Sequence, residues 1–198
     1  MRFLGKGANS ATRTMRYRPG GHNERLLEQL LTDQCGFCAY SEAHVNPLHT
    51  AAVEHFDPAL KGTDADGPLN WYGVLQKVNQ RKRRSERLFD ATLLGDRWFQ
   101  VPGAVAERVV YDSADHMFFA RNPDDAAAKA LIDYLGFNHS EVVIERKAHV
   151  ERLRSLFGLA RLEGSAALDW LADHRAFLAF PSALEASLGL EVDVLLGV

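Results

Sequence analysis

Five residues have types and spacing suited to phosphodiester chemistry. Glu54 and His55 stand side by side in VEHFDP (53–58), Asn70 follows that histidine by fifteen residues, and Asn79 comes nine later, with Lys82 one helical turn beyond it. Hydrolysing a phosphodiester needs a proton taken from water, neutralised charge on the phosphate, and help for the leaving oxygen. A neutral imidazole, with an ordinary pKa of about 6.5, can take that proton near neutral pH. A hard divalent ion held by few protein oxygens and several waters can clamp the phosphate and the leaving oxygen. Glu54 and Asn79 offer oxygens of that kind, and Arg81, Lys82, Arg83 and Arg84 form a cationic run suited to a sequence-independent electrostatic grip. Each residue also has a plainer reading: a surface histidine beside an acid, asparagines that cap a helix or turn, and RKRR as a solvated helix face.

Taken together the residues resemble the HNH nuclease motif. Glu54-His55-Phe56-Asp57-Pro58 stands for its acid-His element D-H-I-x-P, Asn70-Trp71 for its N-L, and Asn79-Gln80-Arg81-Lys82 for its N-x-x-K. CAYSE (38–42) followed by VEHFDP is similar to the C-A-Y-C-E … I-E-H-F-x-P pattern of one HNH branch. That branch includes the nuclease subunits encoded beside ABC-type ATPases in the Septu anti-phage system and related retron systems. ALIDYLGFNHSEVVIERKAHVERL (130–153) extends the resemblance to about residues 1–155, and the last forty residues match no pattern of that branch. The resemblance implies a ββα-metal finger and a magnesium- or manganese-dependent endonuclease. It makes His55 the general base and Glu54 and Asn79 metal ligands. Asn70 would brace the loop and orient His55, and Lys82 or Arg81 would touch phosphate. DNA is the expected substrate, with RNA (tRNA included) the nearer alternative, and an ABC-type ATPase the expected partner.

The chain departs from this branch at its structural zinc. The four family ligand positions are occupied here by Cys38, Ser41, Leu75 and Val78, so one thiol survives. A single thiol cannot hold zinc tetrahedrally. Structural zinc contributes an apparent ~10–16 kcal/mol in small fingers, against about 1.5–3 kcal/mol for burying one Leu or Val. The finger is therefore expected to lack that zinc, to gather Leu75 and Val78 into a small apolar cluster, and to lean on a helical core. A different zinc set, Cys35 and Cys38 of CGFC with His44 and His49, has admissible spacing. A redox C-x-x-C is disfavoured, because no βαβ pattern surrounds it.

The elements that would position these groups are partly legible. Leucines 26, 27, 30 and 31 in NERLLEQLLTDQ (23–34) have helical period. AAVEHF (51–56) reads as a strand, DPALKGTDADGPLN as loop, and WYGVLQKVNQRKRRSERLF as helix over its second half. Residues 105–121 suggest two strands and a turn. Asn122-Pro123-Asp124-Asp125 offers an N-cap, a first-position proline and acids for a helix that Gly136 stops. Ser140 opens a longer helix, with Val143, Ile144, Val150, Leu153 and Phe157 on one side and Gly158 at its end. Helices over about 164–178 and 182–188 follow. The fold class expected is α+β and mostly helical, with residues 1–100 as the nuclease region (finger at about 50–90) and 101–198 as a helical region for core packing and partner docking.

Composition sets wider limits. The chain has 198 residues, 46% hydrophobic and 25% charged, with a net charge of −3, which is ordinary for a soluble globular protein able to build a core without staples. No apolar run approaches the roughly 20 residues of a membrane helix. The N-terminus lacks an apolar h-region, and two close cysteines cannot brace a secreted fold, so cytoplasm is the expected compartment. Charge is uneven: residues 1–25 carry six Lys or Arg against Glu24 alone, and the tail from Glu163 is acidic. A polyanion is thus admitted on one side only. Two rival classes stand beside the nuclease: a non-catalytic scaffold for the ATPase, and a zinc-dependent nucleic-acid binder. Convergence of Glu54, His55, Asn70 and Asn79 on one cleft would favour the enzyme; splaying would favour the scaffold.

Overall fold

The structure, a computed structural model, describes residues 10–46, 48–85 and 104–196. Helix α1 (Glu24–Asp33) precedes strand β1 (Ala51–His55), which pairs antiparallel with β2 (Trp71–Leu75); α2 (Gln76–Ser85) follows β2 without a break. After α3 (Ala104–Arg108), a second antiparallel pair, β3 (Val109–Asp112) with β4 (Met117–Ala120), leads to α4 (Ala126–Leu135) and α5 (Ser140–Ala160). Then come α6 (Gly164–Asp173), α7 (Pro181–Leu188) and α8 (Asp193–Leu196). The class is α+β, with two small two-stranded sheets set among helices in the described residues.

The β1–β2 register places Val53 opposite Gly73 and His55 opposite Trp71, and it is prolonged by Phe56 N–H to Asn70 O (2.8 Å) and Gln76 N–H to Thr50 O (2.9 Å). Residues 71–75, read above only as the lead-in to a helix, are a full strand. Gly73 is the reason α1 can lie against it. A Cβ there would come 2.9 Å from Leu31 Cδ2, and the Gln34 side-chain amide closes on the Gly73 backbone with two 2.8 Å hydrogen bonds. The outer edge of β2 is thereby covered by a side chain, which blunts edge pairing.

The core crosses residue 100. Cys38, Tyr40, Tyr72, Val74 and Val78 from the front share one buried cluster with Val109, Phe118, Leu131, Tyr134 and Phe137 from the back. A second cluster joins Phe37 to Val150, Leu153, Leu171, Leu184 and Val192. The front turn is tied to α7 by buried Glu42, whose carboxylate accepts from Ser182 Oγ (2.7 Å) and Ser182 N–H (3.1 Å).

Three sequence expectations need correction. Residues 104–108 form a short helix, not the start of a strand. The cap of α4 is Asp125, whose side chain accepts from Ala128 N–H, and Asn122-Pro123 form a turn ahead of it. Helix α5 continues past Gly158 to Ala160. Its buried face runs through Val142, Arg146, His149, Val150, Leu153 and Phe157, leaving Ile144 66% exposed.

Candidate active site

The site is built on the loop between β1 and β2. Asp57 caps a short 3-10 turn at Pro58–Leu60, accepting from Ala59 N–H, and a second such turn at Pro68–Asn70 returns the chain to β2. Asn70 closes the loop. Its Oδ1 accepts from Asp57 N–H (2.7 Å), and its Nδ2 donates to Asp57 O (3.0 Å) and to Asp66 Oδ1 (3.2 Å). Asp66 also receives Trp71 Nε1–H (2.6 Å) and Gly62 N–H (3.0 Å).

The second oxygen of Asp66 meets His55 Nε2 at 3.0 Å, with both side chains only 4% exposed. Asn70 therefore reaches His55 through Asp66. Among the described residues no hydrogen bond engages His55 Nδ1. A proton on Nε2, donated to the carboxylate, leaves the Nδ1 lone pair to act. Burial pushes the imidazole below its ordinary pKa, with Lys61 and Lys82 acting the same way; Asp66 opposes this but does not reverse it. Burial raises Asp66 in turn, yet the hydrogen bonds from Gly62, Asn70 and Trp71 and the facing His55 hold it below the usual carboxylate range.

Glu54 lies on the other face of β1, as strand alternation requires. It accepts from Lys82 Nζ at 2.5 Å; the same ammonium donates to His55 O (2.8 Å) and sits 4.8 Å from the centre of the Tyr134 ring. Lys82 is fully buried, so in this arrangement it offers no charge to a phosphate. Asn79 lies on the same buried face of α2, one turn earlier; its Oδ1 is buried without a hydrogen-bond partner. Arg81 pairs with Glu141 on α5. The side chains of Arg83 and Arg84 lie outside the described residues.

The four motif residues thus divide. His55 and Asn70 share one network; Glu54 and Asn79 belong to the α2 side. Asn79 Oδ1 is the kind of orphaned oxygen a cation would satisfy. The Lys82 ammonium, however, already holds Glu54 Oε1, and its positive charge opposes a divalent ion at that place. Among the described residues no group of three His, Cys, Asp or Glu converges as a metal site. As arranged, this donor set does not fit a divalent ion.

The four positions that the resemblance assigns to zinc ligands do gather. Cys38 Sγ accepts from Leu75 N–H (3.4 Å), Val78 is buried in the same cluster as Cys38, and Ser41, Leu75 and Val78 line one groove of about 270 Å³. The alternative zinc set does not form. Cys35 packs into the second cluster with its Sγ 3.6 Å from Leu196 O, whereas Cys38 is in the first. His44 lies edge-on to Phe37, and His49 bonds Asn46.

Sequence reasoning missed Asp66 and Tyr17. Asp66 was one acid among several in a Gly-, Pro- and Asp-rich loop, and nothing in its spacing separates it from Asp64. Tyr17, whose ring lies edge-on to His55 at 4.5 Å between centroids, sits in an N-terminal stretch that reads only as basic. Tyr17, Asp66 and Trp71 help line a cleft of about 410 Å³, together with Arg16 and Asp64. Set against family models, curated proteins and solved structures, the chain has no match.

Proposed function

We propose that this chain is a phosphodiester hydrolase of the HNH type, an endonuclease in which His55 is the general base. The observation that carries the reading is the Asp66–His55 pair at the end of β1, with Nε2 held by the carboxylate and Nδ1 without a hydrogen bond. A depressed pKa keeps the imidazole neutral at physiological pH, which is the form a base needs. In the reaction, Nδ1 takes a proton from water as the water oxygen bonds to phosphorus. The bond from phosphorus to the leaving oxygen then breaks, and that oxygen departs with the electron pair and takes a proton from solvent. Asp66 stabilises the resulting imidazolium, and Asn70 keeps Asp66 in place. The order β1–β2–α2 is the order of a ββα finger, and it supports the resemblance that names the chemistry.

DNA as substrate, an ABC-type ATPase as partner, a role in anti-phage defence and a cytoplasmic setting rest on that resemblance. Dependence on magnesium or manganese is proposed on one condition: Lys82 must leave Glu54 before a dication can take its place. A second reading, the non-catalytic scaffold, is favoured by three observations: the division of the four motif residues between two faces of β1, the Tyr17 ring against His55, and the Lys82 ammonium on Glu54.

The test gives the purified protein plasmid DNA and RNA with magnesium or manganese, with and without the candidate ATPase. His55→Ala should reduce cutting by about 100- to 10,000-fold, the range of a lost general base, while circular dichroism stays unchanged. Undiminished cutting by that variant overturns the assignment; no cutting by the wild type under any condition favours the scaffold.

A further inference from the structure

We infer that the segment from Met15 to Arg18, together with Arg25, forms a binding track for the phosphate backbone of a nucleic acid. This deepens the phosphodiesterase reading and rests on it for what lies at the end of the track. The cationic run at 81–84 is the grip the sequence suggests, but Arg81 is paired with Glu141 and Lys82 is buried on Glu54. Three exposed arginines lie instead along the N-terminal segment and the start of α1.

Met15 is extended, and exposure alternates over residues 15–18: Met15 and Tyr17 turn inward onto Leu26, Leu30 and Trp71, and Arg16 and Arg18 turn outward. The two guanidinium groups are thus presented on one side of the segment. Among the described residues no hydrogen bond or ion pair holds the side chain of Arg16, Arg18 or Arg25.

The backbone that carries these arginines is pinned at both ends. Ser10 and Thr12 hydroxyls bond Asp33 on α1. At the other end Asn23 accepts from Arg18 N–H (2.9 Å) and donates to Arg18 O and Gly21 O (both 3.0 Å). Exposed arginines on a fixed strap form a site with defined geometry, and a pre-ordered site loses less entropy on binding.

Arg16 lies in the wall between two adjoining clefts. One, of about 460 Å³, is also lined by Arg18, His22, Asn23 and Arg25; the other, of about 410 Å³, leads to Asp66 and Trp71 beside His55. The acids nearby are mostly committed: Asp33 to Ser10 and Thr12, Glu24 to His22, and Asp66 to His55. Asp64 is the other carboxylate lining either cleft. A backbone lying over Arg25, Arg18 and Arg16 would therefore be led toward Tyr17 and the histidine beneath it.

The experiment measures fluorescence anisotropy of labelled single-stranded DNA, duplex DNA and RNA, each about 30 nucleotides, between about 50 and 200 mM salt, where phosphate contacts dominate the salt response. The full chain is compared with Arg16→Ala/Arg18→Ala/Arg25→Ala and with a charge control on α5, Lys147→Ala/Arg152→Ala/Arg154→Ala. The wild type should bind at least one of the three nucleic acids. The N-terminal triple should lose about tenfold or more in affinity, and its slope of log affinity on log salt should fall by about 2–3, one phosphate contact per arginine. The control triple should bind as the wild type does.

Equal slopes for the wild type and the N-terminal triple, an equal loss in the control triple, or no wild-type binding overturns the track. So does binding to phosphatidylserine vesicles without binding to nucleic acid, which would mark the surface as a membrane contact. Cutting is scored separately. A protein that binds through these arginines but never cuts keeps the track and loses the hydrolase, and one that cuts with an unchanged salt slope does the reverse.

Discussion

A buried lysine is stable as an ammonium only when its positive charge is met from several sides. Lys82 has the Glu54 carboxylate, the His55 carbonyl and the face of Tyr134, and is fully buried. Removing one partner of such a pair leaves an uncompensated charge, whereas removing both can be nearly neutral. Lys82→Met should therefore destabilise the fold by about 3–5 kcal/mol, read by urea denaturation, and Lys82→Met/Glu54→Met should lose less than the single change. A loss under about 1 kcal/mol for Lys82→Met would mean a surface-type ion pair and would undo the argument. The same residue shows how far the motif was legible. N-x-x-K marks the position of Lys82, but a lysine in a row of cations reads as solvated; only the register of α2 over β1 turns it inward. His55, Asn70 and Asp66 divide the same way. The first two stand out by type and spacing. Asp66 needed the loop's path to bring it back eleven residues later.

Among the elements, the long periodic helices were the most legible, and β1 and the β3–β4 pair stand where strands were expected. The α1 and α4–α7 patterns are visible in the sequence because each buries one stripe. The strand β2 was not, since Trp71 to Leu75 are nearly all buried and show no alternation to separate strand from helix. The junction between the second sheet and α4 depends on Asp125. Its Oδ1 caps α4 through Ala128 N–H at 2.9 Å, and its two oxygens receive Arg108 Nε and Nη2 at 2.6 Å each, a bidentate grip on the end of α3. Those Arg108 bonds, with the cap, hold the Asp125 pKa down to about 2. A carboxylate depressed in the folded state stabilises above its unfolded pKa, and that contribution disappears as pH falls through the folded one. Asp125 should thus support the fold fully above about pH 4 and cease to do so near pH 2. Asp125→Asn retains the cap and loses the ion pair; Asp125→Ala loses both and should be less stable than the Asn variant by about 1 kcal/mol in thermal or urea melts. Equal stabilities for the two variants would show that the cap contributes nothing.

At the scale of the whole molecule, the front and back halves complete each other's interior. Cys38, Leu75 and Val78 pack together, and the apolar surface they meet comes from α4 and the second sheet. The β1–β2–α2 unit is small, and the shared core supplies its backing. That interior also encloses histidines. His44, His55, His116 and His149 are each held below the ordinary imidazole pKa, chiefly by burial, and the carboxylates facing His55 and His116 do not offset it. The sign follows directly. Below about pH 6.5 the unfolded chain protonates these imidazoles while the folded chain resists, so unfolding takes up protons and stability falls as pH falls. Asp66 and Asp125 are depressed and stay ionised in this range, so they do not mask the trend. The melting temperature at constant ionic strength should drop steadily from about pH 7 to pH 5, the window in which histidine titrates. Urea midpoints should move the same way, with net proton uptake on unfolding. A flat or rising profile across that window would mean that these imidazoles are charged in the folded protein. His55 would then be protonated near pH 6, and it could not serve as the base the phosphodiesterase reading requires.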